Sequence, residues 1–145
     1  MAEVNINPDK IGKDRYRMPS LIVQNRRNNK TYIQNLDKVA QSLNRDVDAL
    51  LKYIGVTLGA ATTGQQKNDP WCVNGVYDSV KLTAVLYDYI RMYVLCSKCT
   101  NPETNIALSL TNSKKMLKSC IACGTDTALP NTTKFDNWLL RSLAQ

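Results

Sequence analysis

The sequence predicts an α+β fold: a small α/β body with a mostly antiparallel sheet, a connecting helix, and a C-terminal β-rich module built around four cysteines. Three observations predict it. Several stretches carry apolar residues at i, i+3, i+4 and i+7, one face of a helix. Between them lie short alternating runs bounded by Gly, Pro and Asn clusters, without the strict βαβαβ order of a parallel sheet. Near the C-terminus, Cys96, Cys99, Cys120 and Cys123 form a C-x2-C-x20-C-x2-C pattern.

Residues 1–19 lack sustained periodicity and close on Pro19, so they are expected to form a flexible basic tail. The body is expected over 20–93. In "SLIVQNRRNNKTYIQN", Leu21 and Val23 alternate, a polar Arg-Arg-Asn-Asn loop follows, then Tyr32 and Ile33, which predicts a β-hairpin with a basic tip. Asn35 is the expected N-cap of a helix whose inner stripe is Leu36, Val39, Ala40 and Leu43. Asn44 is expected to cap a second short helix with Val47, Leu50, Leu51 and Ile54 inside and Gly55 as its stop. "VTLGAATT" and "WCVNG" flank the turn-rich "GQQKNDP" and predict a strand pair. Asp78 or Ser79 opens a long helix that buries Leu82, Val85, Leu86, Tyr89 and Ile90. It runs into "MYVLC", expected to become extended and deliver Cys96.

The four cysteines define residues 94–130. A CxxC turn aims two sulfurs at one ion, and two such turns on successive hairpin tips complete a tetrahedral S4 site for Zn²⁺. A redox disulfide pair or an iron centre shares this spacing. "NIALSL", "KKMLKSC" and "TDTALP" alternate as three strands, and Gly124 directly follows Cys123, where the turn calls for a positive φ. With four protein ligands the ion has no open position, so its role is structural. Cys72, between Trp71 and Val73, reads as a small buried hydrophobe. Residues 131–145 read as a closing helix with Phe135, Trp138 and Leu139 on one face.

With 145 residues, 43% of them apolar, the chain can build one core plus a metal-stapled module. No run of eighteen apolar residues is present, so no membrane association is expected. The first twenty residues carry seven charges and no apolar signal core, so a cytoplasmic setting with reduced thiols is expected. The net charge of +7 is uneven. Residues 1–35 hold seven basic and three acidic residues, 36–93 six of each, and 94–145 six and three. Basic ends on a neutral body suit a phosphate-bearing partner such as RNA, although solubility alone asks for a similar surplus. Histidine is absent, and no Walker A loop, dinucleotide-binding glycine pattern or nucleophile elbow occurs. A self-contained enzyme is therefore not expected. Any catalytic contribution would come from lending a charge to another protein's site.

"DRYRMPSL", "LNR", "KYIGVTLGAATT", "KNDPWCVNG", "VLCSKCTNPET" and "KSCIACG", in this order, resemble the translation initiation factor 2 beta / factor 5 family. "YRMP", "KYIG…LGA" and "NPET" fit the N-terminal domain of the factor 5 branch better than the beta-subunit branch. The resemblance implies a GTPase-activating protein for initiation factor 2, whose gamma subunit holds GTP and helps deliver initiator tRNA to the small ribosomal subunit. It implies an arginine finger at Arg15, within "RYRMP", supported by Lys30 in "NNKT" and Lys52 in "KYIG". A guanidinium stays protonated and can donate to two oxygens of a phosphoryl group in transfer. Read without the resemblance, Arg15 is one more solvated arginine, and the two lysines are surface point charges. Arg17, Arg26 and Arg27 widen the basic face and are expected to touch RNA.

The chain departs from the family in a shorter hairpin loop, "NRRNN", and in Asp14 where an aromatic residue is expected. The sequence ends at Gln145, before the point where the family's C-terminal helical-repeat domain is expected. The chain is then either an excised domain or a stand-alone monomeric short form; "FDNWLLRSLAQ" reads as a finished helix rather than a linker, which favours the stand-alone form as the expectation. The alternative reading is a non-catalytic module that binds the ribosome and initiator tRNA, as the beta subunit does. A zinc-ribbon transcription module fits the cysteines but not the body motifs.

Overall fold

The computed structural model describes residues 3–7, 16–26, 29–65, 69–109, 115–130 and 132–143. The stretch expected to be a tail has ordered ends. Glu3–Asn5 (β1) pairs antiparallel with Arg17–Pro19 (β2), Val4 lying opposite Met18. Two three-residue strands are marginal alone. Here Ile6 and Met18 are buried in the main core, and the Ile6 amide donates to the Tyr16 carbonyl at 3.1 Å. Anchors this short leave no periodicity to detect.

The hairpin forms as expected from β3 (Val23–Arg26) and β4 (Lys30–Ile33). With Thr62–Thr63 (β5) and Trp71–Asn74 (β6) they make an antiparallel sheet ordered β3-β4-β6-β5. Ile33, Trp71 and Val73 enter the core. Thr31 is buried too, and its hydroxyl is fully used: it donates to the Gly75 carbonyl at 2.8 Å and accepts from the Tyr77 amide and Asn25 Nδ2.

Helix α1 (Leu36–Ser42) buries Leu36, Val39 and Ala40. Asn35 occupies its N-cap position but caps nothing with its side chain. Its amide group instead accepts from the Ile22 amide and donates to the Ser20 carbonyl, tying the entering strand to the helix. Asn44 does not start the second helix; it ends the first. It takes φ +55, and the Asn44 and Arg45 amides return to the Gln41 and Ala40 carbonyls at 3.0 Å each. That is a Schellman closure, for which Asn is the common substitute for Gly.

Helix α2 (Val47–Leu58) is capped by Asp46, whose carboxylate accepts from the Asp48 amide at 3.1 Å. It runs past Gly55 and ends at Gly59, φ +65, so the expected stop came one turn early; Val56–Leu58 of "VTLGAATT" are helix, while Thr62–Thr63 keep the expected pairing with β6. Gly55 serves close approach instead: a Cβ there would meet Thr62 Cγ2 at 2.8 Å and the Ala60 carbonyl at 3.0 Å. Helix α3 (Ser79–Tyr89), capped by Asp78, buries the expected stripe. It does not pass into an extended strand. Residues Ile90–Val94 form a π turn, and only Leu95 is extended.

The reason lies in where the carbonyls of that turn go. Lys118 Nζ donates to Met92 and Leu95, Arg45 Nη2 to Tyr93, and the Thr104 hydroxyl to Val94. The last carbonyls of a helix have no partner within it; here all four are met from other elements, which holds the widened turn. Three strands follow: β7 (Thr104–Leu108), β8 (Met116–Cys120) and β9 (Asp126–Leu129), in the order β7-β8-β9.

Helix α4 (Lys134–Leu143) returns to the body. Phe135 meets Tyr53 and Tyr93 edge-on, with ring centroids 5.1 and 5.0 Å apart. Asp136, buried, accepts from the Thr132 and Thr133 amides and from the Tyr93 hydroxyl. One apolar cluster thus runs from Ile6 through the sheet and helices to Met116, Leu129 and Leu139.

Candidate metal centre and the basic surface

The two CxxC turns repeat one construction. In the first, the Thr100 amide donates to the Cys96 carbonyl at 2.9 Å; in the second, the Gly124 amide donates to the Cys120 carbonyl at the same distance. The residue after the second cysteine has positive φ in both, +61 at Thr100 and +72 at Gly124. Gly124 is the glycine the sequence marks. Thr100 is a β-branched residue in the same conformation, an uncommon placement. Strand pairing sets Thr104 opposite Cys120 and so brings the turns together.

The four Sγ atoms lie within 4.8 Å of one another, with Cys96–Cys123 and Cys99–Cys120 at 3.6 Å. A disulfide needs about 2.05 Å. Four sulfurs at about 2.3 Å from one tetrahedral ion sit about 3.8 Å apart. The group can therefore hold one metal ion, and its donor set and spacing are consistent with zinc. The Thr125 hydroxyl and amide hold the Cys123 thiol down to about 6, favouring the thiolate that metals bind.

Four thiolates around a divalent ion leave excess negative charge. Lys118, 2% exposed, stands beside it. Burial pushes its ammonium pKa down and the neighbouring Cys96 thiolate pulls it back up. Arg45 is likewise lowered by burial. It donates to the Thr104 carbonyl, the Thr104 hydroxyl and the Tyr93 carbonyl, each at 2.7 Å, and so locks body to ribbon. Neither cation was singled out from sequence. Lys118 had a signal, because Met116, Lys118 and Cys120 share the inward parity of β8. Arg45 lies in the "LNR" run on which the resemblance rests, but its role was not readable there, since its partners are distant in the chain.

The "NPET" run gains a structural account. Asn101 Oδ1 accepts from the Glu103 amide at 2.7 Å, the Thr104 amide donates to the Pro102 carbonyl at 2.8 Å, and Glu103 and Asn101 both reach the Tyr16 hydroxyl.

The expected phosphate-facing residues are spread out. Lys30, at the start of β4, lines a cavity of about 150 Å³ with Tyr32, Thr63, Asp69 and Cys72. Lys52 is exposed on α2 and shares a cleft of about 430 Å³ with Lys134. The two lysines thus line different cavities. Arg17 Nη2 donates to the Glu3 carbonyl at 2.9 Å, which gives it a structural bond in the N-terminal ribbon. Arg26 closes β3, while Arg15 and Arg27 lie outside the described residues. Cys72 is buried, as expected. Among the described residues, no helix is long and apolar enough to cross a membrane.

A family model for the domain found in initiation factors 2B and 5 matches residues 7–126. Eukaryotic translation initiation factor 5 of Saccharomyces cerevisiae is 36% identical over 131 residues, which is 88% of this chain and 32% of that protein. The factor 5 of Drosophila melanogaster is 37% identical over 146 residues, 98% of this chain and 31% of the relative. That of Mus musculus is 40% identical over 133 residues, 88% and 30%. The chain thus spans about a third of the length of these relatives. With the match covering most of the chain, including both cysteine turns, the chain belongs to the family of the domain shared by initiation factors 2B and 5.

Proposed function

We propose that this chain acts on the small-subunit preinitiation complex and promotes GTP hydrolysis by initiation factor 2 during start-codon selection. The observation that carries the reading is the likeness to factor 5 proteins over most of the chain, joined to the "RYRMP" run. Arg15 supplies a guanidinium in trans to the gamma subunit's nucleotide, and Lys30 and Lys52, which line different cavities, add positive charge. Arg17, Arg26 and Arg27 contribute to RNA contact. The chain lends a charge and has no active site of its own. The ion held by Cys96, Cys99, Cys120 and Cys123 is a single structural Zn²⁺, with every ligand position filled by a thiolate.

The test is single-turnover GTP hydrolysis by initiation factor 2 with initiator tRNA on the small subunit, with and without this chain. Arginine fingers elsewhere contribute about three to five orders of magnitude in rate, so a large acceleration is expected. Binding to the complex without acceleration would overturn the reading and leave the non-catalytic module.

A further inference from the structure

Tyr16 is the residue next to Arg15, and its side chain does not stay with its own strand ribbon. The phenol donates to Glu103 Oε1 and accepts from Asn101 Nδ2 at 3.2 Å, so its one proton and a lone pair are both engaged on the turn that precedes β7. That turn is held from both sides of the metal centre. The Asn101 carbonyl accepts from the Cys96 amide at 3.0 Å, and the Glu103 carbonyl accepts from the Ile121 amide at 3.0 Å. The Asn101 side chain closes it internally on the Glu103 amide at 2.7 Å. At its backbone, Tyr16 accepts from the Ile6 amide at 3.1 Å, and the neighbouring Met18 is buried in the core.

We propose that the Asn101–Glu103 turn is a receptor for the Tyr16 hydroxyl, and that this clamp positions the chain next to Arg15 relative to the metal centre. The proposal rests on the reading of Arg15 as a finger in trans. A charged group that acts inside another protein's site loses about a hundredfold in rate for a misplacement near 1 Å. A finger therefore needs a fixed base. Tyr16 supplies one: its backbone is tied to the N-terminal ribbon and its hydroxyl to a turn braced by both cysteine knuckles. Tyr16, Asn101 and Glu103 are on this account positioning residues.

The experiment compares the intact chain with Tyr16→Phe, Glu103→Ala, Glu103→Gln and the double variant Tyr16→Phe/Glu103→Ala, in GTP hydrolysis and in equilibrium binding to the preinitiation complex. Tyr16→Phe keeps the ring and loses both bonds, so the stimulated rate should fall about tenfold or more, with binding changed less than twofold. Glu103→Ala, which leaves the Asn101 bond, should lose part of that rate, Glu103→Gln, which keeps an acceptor, should recover most of it, and the double variant should be no slower than Tyr16→Phe alone. A Tyr16→Phe chain at full rate, or losses that add in the double variant, would overturn the proposal. If the unaltered chain gives no acceleration, the finger reading fails separately. The clamp is then judged by hydrogen exchange at the Ile6 amide: faster exchange in Tyr16→Phe and in Glu103→Ala supports it, and unchanged exchange overturns it.

Discussion

Helix α2 alone buries Ala49, Leu50, Leu51 and Ile54, whereas the three ribbon strands together send only Met116 and Leu129 fully into the apolar cluster. The α/β body is held by burial, at about 25 cal/mol per Å² of apolar surface. The β7–β9 strands bury less such surface, and the four thiols at their turns lie close enough to hold one metal ion. The difference teaches that one short chain can join two regions of unequal apolar burial through a seam that adds polar contacts to the apolar ones of Met116 and Leu129 in the shared cluster. Arg45, Lys118 and Thr104 make its polar part by meeting the four carbonyls from Met92 to Leu95.

The sharpest way to break the comparison is to remove the metal. In zinc-finger peptides the ion contributes about 10–16 kcal/mol to folding. Chelation, or Cys120→Ser, should abolish hydrogen-exchange protection across β7–β9 while the β3–β6 sheet keeps most of its own. Equal loss in both regions would show that the body cannot stand without the ribbon. Next in size is the seam. Arg45→Ala removes the partner of the Tyr93 and Thr104 carbonyls, and urea unfolding should report a loss of about 3 kcal/mol. Lys118→Met should cost less, about 1–3 kcal/mol, because it strands two carbonyls but also relieves a buried ammonium. Within the body, Gly55→Ala should cost about 1–3 kcal/mol, since the added methyl meets Thr62 at 2.8 Å. The smallest effect expected is Gly59→Ala, about 1 kcal/mol for a Cβ in the left-handed conformation.

These contrasts also mark what the chain discloses before folding. Helical stripes such as Leu82, Val85, Leu86 and Tyr89 are local and were legible, as were the CxxC spacing and the alternation of the ribbon strands. Asn35 sits at the expected N-cap position without a side-chain cap, whereas Asn44 and Gly55 serve other ends than those expected, because the same residue types serve as caps, closures and points of close approach. Only the neighbouring elements decide which. The π turn was illegible for a related reason: its carbonyls are met by Arg45, Thr104 and Lys118, and nothing within "IRMYV" itself calls for the widening. At the candidate site the ligands were readable from spacing. The buried cation beside them, and the Tyr16 contact with the Asn101–Glu103 turn, depend on chain crossings that no local pattern encodes.

The central claim is that one guanidinium carries the activity. The direct measurement is the single-turnover rate of GTP hydrolysis by initiation factor 2 on the small subunit with this chain and with Arg15→Ala, at saturating concentrations of each. The account predicts strong stimulation by the former and loss of nearly all of it in the latter, with binding retained. Stimulation that survives Arg15→Ala would contradict it and move the charge to another residue, with Lys30 and Lys52 the next to test.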